Sequence, residues 1–170
     1  RWKHSMTGKD NQMTGAEIVL RALKDNGVEH IFGYPGGAVL PIYDEIFQQN
    51  DIRHILVRHE QGGTHMADGY ARASRSVAFC GAQSVGANNL AAGLQDAYLA
   101  CSPVIALTGR LPQELQDRWA YQEVDHSNPF NAVTKFSSQV NTTEQFPMYL
   151  RQAIREATTG TPGPAHLDLA

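Results

Sequence analysis

A chain of 170 residues, of which 42% are hydrophobic and 18% charged, is large enough to fold as one domain around its own core. Its 14 basic and 17 acidic residues give a formal net charge of −3, which excludes a basic surface of the kind that holds nucleic acid or an anionic membrane. Its apolar runs are too short to span a bilayer, and two cysteines are too few for a disulfide-stabilised miniprotein.

The amino-terminal segment, residues 1–12, is polar and has no apolar periodicity. We expect it to be a flexible leader or cloning tail, followed by one folded domain over residues 13–170. The domain begins with a helix, because Thr14 and Glu17 have the spacing of a capping box and Gly27 favours a helix end.

Strands and helices alternate along the rest of the domain. Strands are predicted at residues 28–32, 52–57, 77–82, 103–108, 135–140 and 165–169. Helices are predicted at residues 39–48, 60–73 and 87–100, and after a second capping box at Thr142 and Gln145. The alternation predicts a doubly wound, three-layer α/β/α fold around a mostly parallel sheet of about six strands.

Three of the predicted strand ends carry residues suited to chemistry, and ligands of open parallel sheets bind beyond such ends. The glycines of Gly33–Gly37 let a backbone approach a ligand closely, although they also suit a tight turn. Glu60 opens a helix, where a carboxylate can share a proton with a ligand nitrogen or simply complement the helix dipole. The segment 83–89, a predicted turn and helix start, offers backbone amides and Asn89, with Ser84 as a candidate cap.

Other common sites are missing from the sequence. The seven histidines show no zinc-binding spacing, so no metal ligands are predicted, and neither a dinucleotide or P-loop fingerprint nor a nucleophile elbow occurs. Cys80 and Cys101 lie in apolar surroundings and no signal-peptide core precedes the first helix. We therefore expect two buried, reduced thiols in a cytoplasmic protein.

Taken together, these segments resemble the pyrimidine-binding (PYR) domain of thiamine diphosphate-dependent enzymes, with acetolactate synthase (acetohydroxyacid synthase) catalytic subunits as the most similar branch. The resemblance extends from about Met13 to Leu169. It is carried by rare motifs in family order, at residues 14–17, 28–38, 58–62, 67–72, 121–123 and 160–164.

The resemblance implies an activity. Glu60 matches the glutamate that bonds N1′ of the aminopyrimidine and favours the imino form, which takes the proton from thiazolium C2. The resulting ylid attacks a 2-oxo acid such as pyruvate, and after decarboxylation the enamine adds to a second carbonyl. The implied enzyme is a carboligase of branched-chain amino acid biosynthesis.

The resemblance also implies a site. Gln122 matches a glutamine that faces the reacting centre, and it joins Glu60 as the second implied catalytic residue. The residues implied to contact the cofactor, besides Glu60, are Tyr34, Pro35, Gly36, Gly37, Val85 and Asn89.

This sequence departs from the family pattern at one strand end. Where the family reads Thr-Ser-Gly-Pro-Gly, residues 82–86 read Ala-Gln-Ser-Val-Gly, so a hydroxyl and a proline are absent. Two alternatives therefore stay open beside the carboligase: another thiamine diphosphate-dependent decarboxylase or lyase, and a non-catalytic binding or assembly module of the same fold.

The family motif for diphosphate and Mg²⁺, Gly-Asp-Gly, does not occur in the sequence, since Ala67 precedes Asp68-Gly69. The resemblance implies that a diphosphate-binding domain of a second subunit holds both, in a homodimer or tetramer, and it leaves an FAD requirement open. We expect a fragment of a longer enzyme, inactive alone, with no nucleic-acid or membrane partner.

Overall fold

Strands and helices alternate along the chain in the computed structural model, which describes residues 2–4 and 11–170, with side chains from Met13 onward. The strands are β1 (Trp2–His4), β2 (Asn11–Met13), β3 (His30–Gly33), β4 (Arg53–Leu56), β5 (Ala78–Gln83), β6 (Val104–Gly109), β7 (Phe136–Val140) and β8 (Ala165–Leu169). The helices are α1 (Gly15–Asp25), α2 (Leu40–Phe47), α3 (Glu60–Ser74), α4 (Ser84–Leu99), α5 (Ser127–Asn131) and α6 (Phe146–Thr158). Short 3₁₀ turns lie at Gly37–Val39, Gln113–Leu115 and Thr143–Gln145.

One six-stranded sheet organises the domain. Its strand order is β4-β3-β5-β6-β8-β7, and every neighbouring pair is parallel. Helices cover both faces, so the predicted doubly wound α/β/α fold is confirmed. Because all six strands run the same way, their carboxyl ends meet at one edge of the sheet.

The amino-terminal segment lies apart from this sheet. Strands β1 and β2 pair with each other in antiparallel fashion, with Trp2 opposite Met13. Residue 1 and residues 5–10 lie outside the described residues, so the flexible leader over residues 1–12 stays a prediction.

The two predicted capping boxes have different outcomes. At α1 the Thr14 hydroxyl accepts the Glu17 amide at 3.2 Å while the Glu17 carboxylate accepts the Thr14 amide, and Gly27 leaves the helix at φ +74°. The second box is wrong: Thr142 makes no capping bond and opens a 3₁₀ turn instead. Helix α6 then begins at Phe146 with a proline in its first turn, where a missing N–H costs nothing.

Two apolar cores lie on opposite faces of the sheet, because alternate strand residues point to opposite sides. Phe79 and Ile105 join Leu150 and other residues of α1 and α6 on one face, whereas Cys80 joins Leu94 and other residues of α3, α4 and α5 on the other. Cys80 is buried as expected. The expectation for Cys101 is wrong, since it follows α4 in an exposed turn with a left-handed backbone (φ 56°).

Helices α3 and α4 pack unusually closely. A Cβ atom added at Gly93 of α4 would overlap the Thr64 hydroxyl and lie 3.0 Å from the Gln61 carbonyl oxygen. This approach holds the middle of α4 against the amino-terminal half of α3. Among the described helices, none is long and apolar enough to cross a membrane.

The close approach predicts opposite effects for the same substitution at two helical glycines. Gly93→Ala should lower the free energy of unfolding by about 1–3 kcal/mol, because Thr64 and the α3 backbone must move. Gly69→Ala, on the exposed face of α3 with open space around it, should raise that free energy by about 0.5–1 kcal/mol. Urea denaturation of both variants measures the difference, and equal effects would contradict the packing described.

Candidate functional site at the carboxyl ends of the strands

Glu60 lies at the first position of α3, shortly after the end of β4. The extended N-cap residue His59 accepts the Gln61 amide on its Nδ1 at 3.2 Å, which holds the helix start in place. The Glu60 side chain is half-buried. It therefore lies at the sheet edge where the sequence predicts a ligand site.

The α4 helix brings Asn89 to Glu60. Asn89 Nδ2 donates a hydrogen bond to Glu60 Oε2 at 3.1 Å. Gly86, three residues earlier on the same helical face, lies against the carboxylate: a Cβ there would overlap Oε1 and lie 3.0 Å from Cδ. The structure thus brings two predicted site residues together through a glycine that leaves room for the carboxylate.

The glycine segment after β3 packs against the end of β5. A Cβ added at Gly36 would lie 2.6 Å from Gln83 Cδ and 2.9 Å from its Nε2, and Gln83 Oε1 accepts the Ala38 amide at 3.4 Å. The first and third strand ends are therefore one continuous surface. Gly37 is open on this surface, because a Cβ added there would meet no atom within 4 Å.

Three other residues that are implied to contact the cofactor, Tyr34, Pro35 and Val85, lie around this contact. The Tyr34 amide donates to the Gly81 carbonyl at 3.3 Å, while its side chain is 45% exposed. Pro35 is half-buried and Val85, in the first turn of α4, is 52% exposed. An apolar side chain thus stands at the position where the family pattern has proline.

The junction between β5 and α4 differs from its prediction. The predicted turn over residues 83–86 is wrong, because α4 begins at Ser84 directly after the strand. Ser84 is buried and left-handed (φ 43°), an uncommon conformation for a residue with a side chain. It does not cap the helix: its hydroxyl donates to the Gln122 carbonyl at 2.9 Å instead.

Gln122 is connected to the site through its backbone. It is also left-handed (φ 64°), and its side-chain Nε2 lies 3.5 Å from the Tyr121 hydroxyl. Its carbonyl contact with Ser84 holds the long loop between β6 and α5, residues 110–126, against the third strand end. Within residues 13–170, no hydrogen bond joins the side chains of Gln122 and Glu60.

A buried polar network below Ser84 was missed by sequence reasoning. His126 bridges the Ser84 carbonyl, at 2.9 Å, and Asp168 Oδ1, at 2.8 Å, and Thr108 and His166 extend the network. One signal could have found it: His166 and Asp168 alternate within an otherwise apolar buried strand, so both point to the same face.

One further cavity does not involve the predicted site residues. A cavity of about 470 Å³ opens between α1, α2 and the end of β8, lined among others by Val19, Pro41 and Leu169. Within residues 13–170, no three histidine, cysteine, aspartate or glutamate side chains are grouped closely enough to hold a metal ion.

Comparison with known proteins identifies the family. Residues 13–128 match the family model described as thiamine pyrophosphate enzyme, N-terminal TPP binding domain. The chain belongs to this family of thiamine diphosphate enzymes, and the predicted resemblance is confirmed.

Several of its relatives are named acetolactate synthases. The chain is 49% identical over 158 residues to a protein of Methanocaldococcus jannaschii named a probable acetolactate synthase large subunit, covering 92% of this chain and 27% of the relative. It is 44% identical over 162 residues to the acetolactate synthase of Arthrospira platensis, covering 93% of this chain and 28% of that enzyme. The chain thus spans about a quarter of the length of these relatives.

A solved structure shares the fold. The chain superposes with a TM-score of 0.86 on an enzyme from Mycobacterium smegmatis described as thiamin diphosphate-dependent, at 25% identity, covering 93% of this chain and 31% of that one. The agreement covers nearly all of the present chain.

The contact between Gly86 and Glu60 predicts a selective effect of adding one methyl group. Gly86→Ala should displace the Glu60 carboxylate and break its hydrogen bond from Asn89, which shifts the side-chain amide resonances of Asn89 in NMR spectra. Gly62→Ala is the matched control, because Gly62 lies in the first turn of α3 beside Glu60 and a Cβ added there would meet no atom within 4 Å. Unchanged Asn89 resonances in Gly86→Ala would show that the two side chains do not interact as described.

Proposed function

We propose that this chain is the PYR domain of an acetolactate synthase-like, thiamine diphosphate-dependent carboligase, and that Glu60 activates the cofactor. The single observation that supports this most strongly is the Glu60 carboxylate, held by Asn89 against Gly86 at the sheet edge. The family match and the acetolactate synthases among its relatives support the choice of reaction.

The residues present suit an aminopyrimidine. Asn89 uses one N–H on Glu60 Oε2, and the carboxylate retains acceptor positions for a ring nitrogen. Because Gly86 has no side chain, no Cβ of α4 occupies the space beside Oε1. The exposed faces of Gly37, Tyr34 and Val85 offer a flat, partly apolar wall for the rest of the ring.

The candidate site residues have distinct roles in the proposed reaction. Thiamine diphosphate, when bound, would supply a carbon nucleophile and a ring that takes up the electrons released by decarboxylation. Glu60 holds or releases a proton at the pyrimidine nitrogen, Asn89 keeps that carboxylate oriented, and Gln122 faces the 2-oxo acid, pyruvate being the expected donor. Pro35 and Gly36 complete the pyrimidine wall.

The rest of the site belongs to another domain in this proposal. A diphosphate-binding domain of a second subunit holds the diphosphate and Mg²⁺, so the working enzyme is a homodimer or tetramer. The enzyme acts in the cytoplasm, in branched-chain amino acid biosynthesis, and an FAD site would lie outside this chain. The length of the relatives, about four times the matched region, is consistent with such further domains.

Removing the Glu60 charge should slow cofactor activation. In the full-length enzyme containing this domain, Glu60→Gln should slow hydrogen–deuterium exchange at C2 of bound thiamine diphosphate by about 10²–10⁴-fold, the usual contribution of a general acid–base group. Proton NMR after acid quench measures the exchange. Glu29→Gln is the control, since Glu29 is exposed and precedes β3 at the opposite edge of the sheet. An exchange rate in Glu60→Gln equal to that in the control would refute the assigned role.

The 170-residue chain alone should show no turnover of pyruvate, because the proposal assigns the diphosphate and Mg²⁺ to another domain. An acetolactate assay with added thiamine diphosphate and Mg²⁺ tests this, with the full-length enzyme as the positive control. Acetolactate formed by the chain alone would contradict the division of the site between two domains.

One observation favours the alternatives. Ala82 is buried and Val85 is exposed where the family pattern has a hydroxyl and a proline, so the site surface differs from that pattern. Another thiamine diphosphate-dependent decarboxylase or lyase would then bind the cofactor but form no acetolactate. A non-catalytic module would bind no thiamine diphosphate, which calorimetric titration of the full-length protein with Mg²⁺ would reveal.

A further inference from the structure

A chain of buried polar side chains lies directly below the β5–α4 junction. His126, Asp168 and His166 are each 1% exposed, and Thr108 is fully buried. The His166 ring is stacked on Phe130, with centroids 3.6 Å apart and planes at 11°. Polar groups so deeply buried need hydrogen-bond partners. The network supplies them for His126, His166 and Thr108, whereas of the two Asp168 carboxylate oxygens only Oδ1 is hydrogen-bonded.

The partners of His126 determine its charge. Nε2 faces the Ser84 carbonyl oxygen at 2.9 Å and Nδ1 faces Asp168 Oδ1 at 2.8 Å. A carbonyl and an ionised carboxylate only accept hydrogen bonds, so both ring nitrogens must donate and the ring is an imidazolium. Burial alone would lower the pKa of His126, but the hydrogen bond and charge of Asp168 outweigh it and raise the pKa.

The second histidine of the network, His166, is neutral. Thr108 donates its only hydroxyl proton to Asp168 Oδ1 at 2.7 Å, so it accepts from His166 Nε2, also at 2.7 Å. His166 Nδ1 then carries no proton and accepts from the Ser137 hydroxyl at 2.8 Å. Burial lowers the pKa of His166 to about 3, which agrees with a neutral ring.

Other charges surround this pair. Arg110 Nε lies 3.5 Å from Asp168 Oδ2, within ion-pair distance but without a hydrogen bond. Asp125, on the same loop as His126, adds a second negative charge that favours the imidazolium. The neutral His166 contributes no competing cation.

We propose that His126, anchored on Asp168, is a positioning residue that holds Ser84 in its left-handed conformation and thereby fixes the start of α4. Two polar groups of Ser84 are held from the loop, its carbonyl by His126 and its hydroxyl by the Gln122 carbonyl. The first turns of α4 then carry Gly86 and Asn89 to Glu60. The role in catalysis rests on the proposed function, whereas the positioning itself does not.

NMR on the 170-residue chain tests the positioning without any cofactor. Two-bond ¹H–¹⁵N spectra should show both ring nitrogens of His126 protonated at pH 7 and those of His166 in the neutral form. As the pH rises through the elevated pKa of His126, the backbone amides of Val85, Gly86 and Asn89 should titrate together with the ring. A neutral His126 at pH 7, or amides that do not follow its titration, would overturn the proposal.

Two substitutions separate positioning from general stability. His126→Gln should shift the amides of Val85, Gly86 and Asn89, whereas His166→Gln, equally buried but without contact to Ser84, should leave them near their original positions. Equal shifts in both variants would overturn the proposal. If His126→Gln does not fold, Asp168→Asn decides the matter through the His126 ring: its pKa should fall, and an unchanged pKa would be contrary to the anchoring role.

The catalytic consequence is measured in the full-length enzyme. His126→Gln should slow C2 exchange by about tenfold, because a small displacement of Asn89 misorients Glu60, while His166→Gln should stay within about twofold. Equal rates in the two variants would overturn the catalytic part of the proposal. If full-length protein binds no thiamine diphosphate at all, the proposed function fails, but the NMR outcome still decides the positioning role.

His126 also predicts a pH dependence of stability. Its folded-state pKa is raised, so its contribution is complete below the ordinary histidine pKa of about 6.5 and is lost as the pH rises through the folded-state pKa. The free energy of unfolding of the 170-residue chain, measured in urea from pH 6 to pH 9, should therefore fall more steeply than that of His126→Gln. Parallel curves for the two proteins would contradict the imidazolium.

Discussion

The direct junction of β5 with α4 at Ser84 governs the geometry of the site. Without a connecting loop, the helix starts where the strand ends, and its first turns lie against the start of α3. Gln83 meets the Gly36 backbone on one side of the junction and Ser84 meets the Gln122 carbonyl on the other. Two chain segments far apart in sequence are thus held by two consecutive residues.

Close packing of α3 against α4 carries the position of this junction over to Glu60. Gly93 lets α4 approach Thr64 of α3, so the two helices start side by side and Glu60 lies within hydrogen-bonding distance of Asn89. A side chain at Gly86 would occupy the space of the carboxylate. Two glycines of one helix therefore differ in their effect: Gly93 lets the helices approach each other, and Gly86 leaves room for the carboxylate.

The buried His126–Asp168 pair gives the junction its rigidity. Removing a single partner from a buried ion pair leaves an uncompensated charge, so such pairs hold geometry more reliably than they add stability. Here the pair connects β8, inside the sheet, with the loop that carries Gln122. Residues of the core thereby influence the orientation of groups at the surface.

The fold class and the family could be predicted from the amino-acid sequence, and the location of the site stays a prediction, whereas the contacts among the candidate site residues could not be predicted. Helical and strand periodicities are local properties, parallel strands end at one edge, and glutamate and glycine at those ends indicate a ligand surface. The confirmed capping box at Thr14 is equally local. The roles of Glu60, Gln122 and the other residues implied to contact the cofactor stay predictions from the family resemblance.

The left-handed Ser84, by contrast, has no local sequence signal, because its conformation depends on partners from a distant loop. His126 and Asp168 are 42 residues apart, so no pattern within one element could pair them. Periodicity records which face of an element is buried, but contacts between elements exist only once the sheet has brought them together.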